Sequence, residues 1–257
     1  MKATYFAGID VGSLSTETVV VDEAGKIISY AIIPTEANST EAGEAAMDKA
    51  LSDKNISRDR IKGIVATGYG RVSIPFADRS VTEISCHAKG AQHLFPNTRT
   101  VIDIGGQDSK VIRVGEGGKV LDFAMNDKCA AGTGRFLEVM AAKLGVSLDD
   151  MGPLSEQAQG EAMISSVCTV FAESEVVSLV ARNHPKDEVI RGLHRAIINR
   201  VFSMITAVGI HPDIIMSGGV AKNQGVVNLL AEKLGEPIHV YTEPQIIGAL
   251  GAALLAR

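Results

Sequence analysis

Apolar residues fall into short runs that close on glycine. Residues 4–12 (T-Y-F-A-G-I-D-V-G) predict a strand covered on both faces and ending at a glycine. The polar turn Ser13-Leu14-Ser15-Thr16 leads to a second strand at 18–21, and the hairpin turn Asp22-Glu23-Ala24-Gly25 leads to a third at 26–33. The spacing of Ala42, Ala45, Ala46 and Ala50 predicts a helix over 41–54. Residues 61–67 predict another strand, followed by the loop Gly68-Tyr69-Gly70-Arg71, and 83–94 predict a helix.

The opening pattern then returns. A displacement of 93 positions lays Ile9-Asp10-Val11-Gly12 on Ile102-Asp103-Ile104-Gly105, and Gly25-Lys26 on Gly118-Lys119. Each copy reads strand, Asp, glycine turn, strand, hairpin, strand. A repeated βββ unit predicts two related domains, each with its own sheet, and a ligand cleft between their facing turns. The second half is richer in helix, at 135–144, 169–180 and 224–234. A long helix over 187–208 carries Val189, Ile190, Leu193, Ile197, Ile198, Val201 and Ile205 near helical spacing. Strands are predicted at 214–216 and 239–241, and an Ala- and Gly-rich helix over 245–255 closes the chain.

Composition narrows the class. The chain has 257 residues, 46% hydrophobic and 21% charged, with 26 glycines and a net charge of −5. That charge gives no electrostatic case for nucleic acid. No apolar run reaches the length of a membrane span and no export signal is evident, so a cytoplasmic protein without membrane attachment is expected. The odd number of cysteines, Cys86, Cys129 and Cys168, speaks against a disulfide framework.

Three glycine turns follow strands: Gly12-Ser13, Gly105-Gly106-Gln107-Asp108 and Ser217-Gly218-Gly219. Glycine lets backbone N–H groups approach oxygens closely, so together the turns point to phosphate, although none is a P-loop or a dinucleotide fingerprint. Asp10 and Asp103, just ahead of the first two turns, are candidate Mg²⁺ carboxylates acting through water, with turn-capping as the alternative. Residues 126–140 set Cys129 beside the turn Gly132-Thr133-Gly134 and a helix, which reads as an anion cradle on backbone N–H groups next to a thiolate. Cys86, beside His87, reads as a packed helix residue, and His184, His194, His211 and His239 show no zinc spacing. Glu173 and Glu175, early in the helix over 169–180, read as dipole partners or solvated charges.

The paired Asp-x-Gly hairpins, S-G-G-V-A-K-N (217–223) and G-A-L-G-A-A-L (248–254) resemble the fold of acetate and sugar kinases, actin and heat-shock chaperone ATPases. Within it, I-D-I-G-G-Q-D-S-K (102–110), N-D-K-C-A-A-G-T-G-R-F (126–136) and C-T-V-F-A-E-S-E-V (168–176) resemble the ATP-dependent activators of 2-hydroxyacyl-CoA dehydratases and related benzoyl-CoA reductases. The resemblance spans essentially the whole chain. It implies an α/β fold of two duplicated actin-like ATPase domains (ribonuclease H-like βββαβαβα) with a nucleotide cleft between them. The first domain is residues 1–96 with the helix over 245–257 packing back onto it, and the second is 97–244.

Carried over by position, Gly12, Ser13, Leu14, Ser15 and Thr16 form the first phosphate turn, and Gly105, Gly106, Gln107 and Asp108 the second. Gly132 and Gly134 are expected near the nucleotide, and Gly218, Gly219, Ala221 and Gln245 around the adenosine. Asp10, Asp103, Gln107 and Asp108 are the expected catalytic residues, Gln107 and Asp108 orienting the attacking water with Mg²⁺. Cys129 and Cys168 are expected to ligate one [4Fe–4S] cluster per homodimer, since a cubane takes four thiolates and each chain offers two in matching contexts. The implied activity is ATP-driven one-electron transfer from ferredoxin or flavodoxin to an iron–sulfur dehydratase or reductase component, in an oxygen-sensitive protein. Service to a benzoyl-CoA reductase or a double-cubane iron–sulfur protein is an alternative within the same chemistry, and a cluster-free sugar or acid kinase or a non-catalytic nucleotide sensor that dimerises is an alternative of another class. One residue departs from the resemblance: Glu17 stands where such first turns often carry Lys, while Lys110 holds the equivalent place in the second copy.

Overall fold

A computed structural model describes residues 3–165 and 168–257. The first sheet contains β1 (Tyr5–Val11), β2 (Ser15–Asp22), β3 (Ile27–Pro34), β4 (Ile61–Thr67) and β5 (Arg79–Ser80), in the order β3-β2-β1-β4-β5. The second contains β6 (Thr100–Ile104), β7 (Ser109–Val114), β8 (Val120–Asn126), β9 (Ile214–Ser217) and β10 (Ile238–Val240), in the order β10-β9-β6-β7-β8. Read from the hairpin edge, each sheet runs third, second, first, fourth, fifth strand of its set. The repeat seen in the sequence is therefore a repeat of topology, and the fold is α/β with two mixed sheets.

Eight helices complete the described chain: α1 (Ser39–Ser52), α2 (Glu83–Leu94), α3 (Gly134–Leu144), α4 (Leu148–Gln157), α5 (Thr169–Ala181), α6 (Lys186–Val208), α7 (Gln224–Leu234) and α8 (Ile247–Leu255). Two compact units result. One comprises Met1–Val101, Ile112–Asp122 and Tyr241–Arg257, the other Ile102–Val111 and Phe123–Val240.

In the first unit both faces of the sheet are covered, as the unbroken apolar run of β1 requires. Ala7, Val20 and Ala31 pack on Met47, Ala50 and Leu51 of α1, whereas Val19 and Val21 pack on Ala249, Leu250 and Ala253 of α8. α8 approaches its neighbours through glycine. A Cβ at Gly8 would lie 2.0 Å from the Ala249 carbonyl oxygen, and one at Gly251 only 1.8 Å from that of Cys86 on α2. The Ala- and Gly-rich composition of the closing helix follows from this contact.

The second unit has one large core. The predicted stripe of α6 lines it, with Leu193, Ile197 and Val201 against Ile104, Met140 and Met216. α4 has no counterpart in the sequence reading. Its start carries a capping box in which Ser147 and Asp150 satisfy each other's backbone N–H groups, but Pro153 inside the helix obscures its period. α8 begins at Ile247 rather than Gln245, because Pro244–Ile246 form a separate 3₁₀ turn.

His194 of α6 is fully buried, and its Nε2 lies 3.1 Å from Asn223 Nδ2. Asn223 in turn caps α7 by accepting from the Val226 N–H. Burial, reinforced by Arg191, pushes the imidazole down from its ordinary 6.5 to about 4, so it folds neutral. The unfolded chain binds that proton more readily, so the stabilisation is complete above about pH 6.5 and is lost as pH falls toward 4. His194→Gln is expected to remove about 2 kcal/mol of the pH dependence between pH 7 and pH 4.5, read from urea unfolding of wild type and variant at the two pH values.

Candidate functional site

The Asp-x-Gly turns of the two units close identically. Gly12 N–H donates to the Ser15 carbonyl at 3.0 Å, and Gly105 N–H donates to the Asp108 carbonyl at 3.0 Å. Their side-chain chemistry differs. In the second unit Lys110, 3% exposed, donates to Asp103 at 2.9 Å and to Asp108 at 3.0 Å. Asp103 also accepts from Ser217 Oγ at 2.7 Å. This charge is buried but paired, and removing Lys110 would leave two acids uncompensated, at a cost of roughly 3–5 kcal/mol.

In the first unit Asp10 stands directly opposite Glu17 in the β1–β2 register, and both are buried. Ser15 Oγ donates to Glu17 Oε1 at 2.5 Å and accepts from Gln245 Nε2 at 3.3 Å. Gln245, expected near adenosine, thus lies against the first turn. Thr35 Oγ1 donates to the Gly12 carbonyl at 2.8 Å, which leaves the Thr16 hydroxyl to donate to Thr35 at 2.9 Å. Thr16 therefore braces the turn from behind, while Ser13 and Leu14 are half-exposed at its tip. His87 Nε2 lies 3.7 Å from Asp10 Oδ2. Sequence reasoning set His87 aside together with Cys86, and no local spacing signals its approach to Asp10, which comes from a separate strand.

The third turn completes the second unit's site. Gly218 has φ +83°, and a Cβ there would lie 2.3 Å from the Ile104 carbonyl oxygen. Only glycine fits where β9 ends against β6. Gly219 and Ala221 follow in a short 3₁₀ turn, Gly219–Lys222, with Ala221 buried. Asp108 is the partly exposed acid of the second turn, and Gln107 is exposed beside it.

The cysteine loop is built differently from the sequence expectation. Cys129 does not start a helix: α3 begins at Gly134 with Thr133 as its N-cap. Asn126, at the end of β8, holds the loop by donating to the carbonyls of Cys129 at 2.8 Å and Ala131 at 3.3 Å. Two amides of the turn read as an anion cradle, those of Thr133 and Gly134, are already committed. Thr133 N–H donates to Ala130 at 3.1 Å, while Gly134 and Arg135 N–H donate to the carbonyls of Gly105 and Gly106 at 2.8 Å each. The start of α3 is bonded to the second glycine turn, which places Gly134 beside that turn.

Cys168 is the N-cap of α5, without a side-chain capping bond, and is exposed. Glu173 pairs with Lys143 of α3 at 2.7 Å, and Glu175 accepts from the Ser165 N–H at 2.9 Å. These glutamates tie neighbouring segments together through partly exposed contacts. Among the described residues no group of three or more His, Cys, Asp or Glu side chains is gathered to hold a metal ion.

The three thiols should separate by reactivity. Cys86 is fully buried, and burial pushes its thiol up to about 12, whereas Cys129 is half-buried and Cys168 exposed. Iodoacetamide at pH 8 is expected to label Cys129 and Cys168 in the folded, iron-free chain and to reach Cys86 only after denaturation. Peptide mass spectrometry showing early labelling of Cys86 would contradict its burial.

Residues 7–256 match the BadF/BadG/BcrA/BcrD ATPase family. The activator of lactoyl-CoA dehydratase from Anaerotignum propionicum is 46% identical over 252 residues, covering 98% of this chain and 97% of its own. A solved activator of the 2-hydroxyisocaproyl-CoA dehydratase from Clostridium difficile, with bound ADPNP, is 42% identical. It superposes with a TM-score of 0.94 over 98% of this chain and 94% of its own. The Acidaminococcus fermentans (R)-2-hydroxyglutaryl-CoA dehydratase component A is 43% identical, with a TM-score of 0.95 over 98% and 97%. The actin-like ATPase architecture implied by the resemblance is thus the one these relatives share, and the chain belongs to the BadF/BadG/BcrA/BcrD ATPase family.

Proposed function

We propose that this ATPase activates a 2-hydroxyacyl-CoA dehydratase by ATP-driven one-electron transfer, using a [4Fe–4S] cluster held by Cys129 and Cys168 of two copies of the chain. The observation that carries the reading is the pair of 2.8 Å hydrogen bonds from Gly134 and Arg135 to the carbonyls of Gly105 and Gly106. They join a glycine turn suited to phosphate to the helix that follows Cys129, so a change at one is felt at the other.

The donor set fits such a cluster. Two thiols, one half-buried in a held loop and one exposed at a helix N-terminus, are half of the four thiolates a cubane takes. A two-fold dimer supplies the rest. Val170 and Phe171, beside Cys168 on α5, are 68% and 66% exposed, an apolar surface in keeping with a second copy there. When bound, the cluster would supply a one-electron store. The chain's own part is to hold the thiolates at α5 and at the Asn126-braced loop, where the α5 N-terminus favours negative charge.

On the nucleotide side, ATP arrives as its Mg²⁺ complex. In this reading the turns Gly12–Thr16 and Gly105–Asp108 offer backbone amides to phosphate, and Asp10, Asp103 and Asp108 hold metal-bound water. The Asp103 carboxylate is held at the second turn by Lys110 and Ser217. Gln107 and Asp108 orient the attacking water. Gly218, Gly219, Ala221 and Gln245 are the residues assigned to the adenosine in this reading. The protein is read as cytoplasmic and oxygen-sensitive, with ferredoxin or flavodoxin as its electron donor and no nucleic-acid or membrane partner. No helix among the described residues is long and apolar enough to cross a membrane.

Anaerobic purification is expected to give a brown dimer with about four irons per two chains. Cys129→Ser and Cys168→Ser should each lose the iron while keeping MgATP affinity within about threefold. Unchanged iron in both variants would refute the ligand assignment. A colourless chain that phosphorylates a small acceptor would refute the reading as a whole.

A further inference from the structure

The two glycine turns are copies with one inversion of sign. In the second, the residue facing the aspartate across the hairpin is Lys110, which donates to Asp103 at 2.9 Å. In the first, the same register position holds Glu17, 5% exposed and opposite Asp10, which is 8% exposed. Two buried carboxylates side by side are costly unless positive groups offset them. The offset is visible around Asp10. His87 Nε2 lies 3.7 Å away, and the start of α8 is so close that a Cβ at Gly248 would fall 1.9 Å from Asp10 Oδ2. The positive end of a helix therefore sits beside the acids.

Glu17 also occupies the hydroxyl of the turn. A serine hydroxyl has one hydrogen to give, and that of Ser15 goes to Glu17 Oε1 at 2.5 Å. The Ser15 oxygen meanwhile accepts from Gln245. A phosphate oxygen arriving at this turn thus meets a serine whose donor is already given to a carboxylate, and a like charge behind it.

We propose that Glu17 is an internal competitor of phosphate at the first turn. It holds the Ser15 hydroxyl in the empty turn, and an arriving phosphate must exchange that bond for its own, so the hydroxyl adds little to affinity while Glu17 is there. Glu17 is accordingly the residue that sets how tightly this chain holds a nucleoside di- or triphosphate. The proposal rests on the ATPase reading above and assigns a role to a residue that reading leaves unused. It also identifies the substitution that reverses the effect. A lysine at position 17 would face Asp10 as Lys110 faces Asp103, on the same hairpin geometry, and would free Ser15.

The test is titration of the full-length chain with MgADP and MgATP by calorimetry. Glu17→Lys is expected to tighten both about tenfold, and Glu17→Gln, which keeps the side chain's shape and loses its charge, about threefold. Ser15→Ala reads the competition directly. In the wild-type background it should change affinity by less than about twofold, since its donor is already engaged. In the Glu17→Lys background it should weaken binding by about threefold or more. Equal or weaker binding by both Glu17 variants overturns the proposal, as does a Ser15→Ala effect of the same size in both backgrounds. Failure of the wild-type chain to bind either nucleotide would be a different result, removing the ATPase reading and this proposal with it.

Discussion

Two backbone hydrogen bonds hold the functional half of this protein together. They run from the first amides of α3 to the carbonyls of Gly105 and Gly106. A helix normally leaves its first N–H groups without intrahelical partners. Here two of them find partners on the turn that follows β6, so the turn and the helix are positioned as one piece. The approach is tight, since a Cβ on Gly134 would come 3.2 Å from the Gly105 carbonyl oxygen and the turn would have to give slightly to admit it. Upstream, Asn126 gathers the carbonyls on either side of Ala130 and so fixes Cys129 between β8 and α3. Downstream, the Lys143–Glu173 pair links α3 to the helix that Cys168 caps. Each cysteine is therefore connected to the glycine turn by short, named contacts.

The rest of the second unit keeps that turn rigid. Lys110 bridges Asp103 and Asp108, and Ser217 brings the end of β9 onto Asp103. His194 supports the same region from below through Asn223, the cap of α7. The first unit achieves order by other means. Its turn is braced by the Thr16–Thr35–Gly12 relay and by Gln245, while its acids face each other across β1 and β2. Duplication preserved the backbone closure of both turns and let their charges diverge.

Much of this was legible in the sequence. The repeat at 93 positions predicted two sheets of matching topology because hydrophobic alternation and turn glycines are local, and local signals survive duplication. The stripe on α6 and the glycines of α8 likewise report their own packing. What the sequence could not show is where polar groups are used up. The C-A-A-G-T-G segment has the residues of an anion cradle, but its last amide, on Gly134, bonds to Gly105, more than twenty-five residues upstream, as that of Arg135 does to Gly106. His87 reads as an ordinary helix residue until β1 brings Asp10 to it. α4 was hidden by Pro153, whose cost to the helix is offset by the capping box and by burial of Met151.

The central claim is that nucleotide occupancy at the Gly105–Gly106 turn is transmitted to the cysteine loop through the start of α3. Hydrogen–deuterium exchange of the full-length chain, with and without a non-hydrolysable ATP analogue and Mg²⁺, tests it directly. The peptide covering 126–140 is expected to change its exchange together with the peptide covering 102–110, with the Gly134 and Arg135 amides slowed by about tenfold or more. Protection confined to 102–110, with 126–140 exchanging as it does in the nucleotide-free chain, would contradict it.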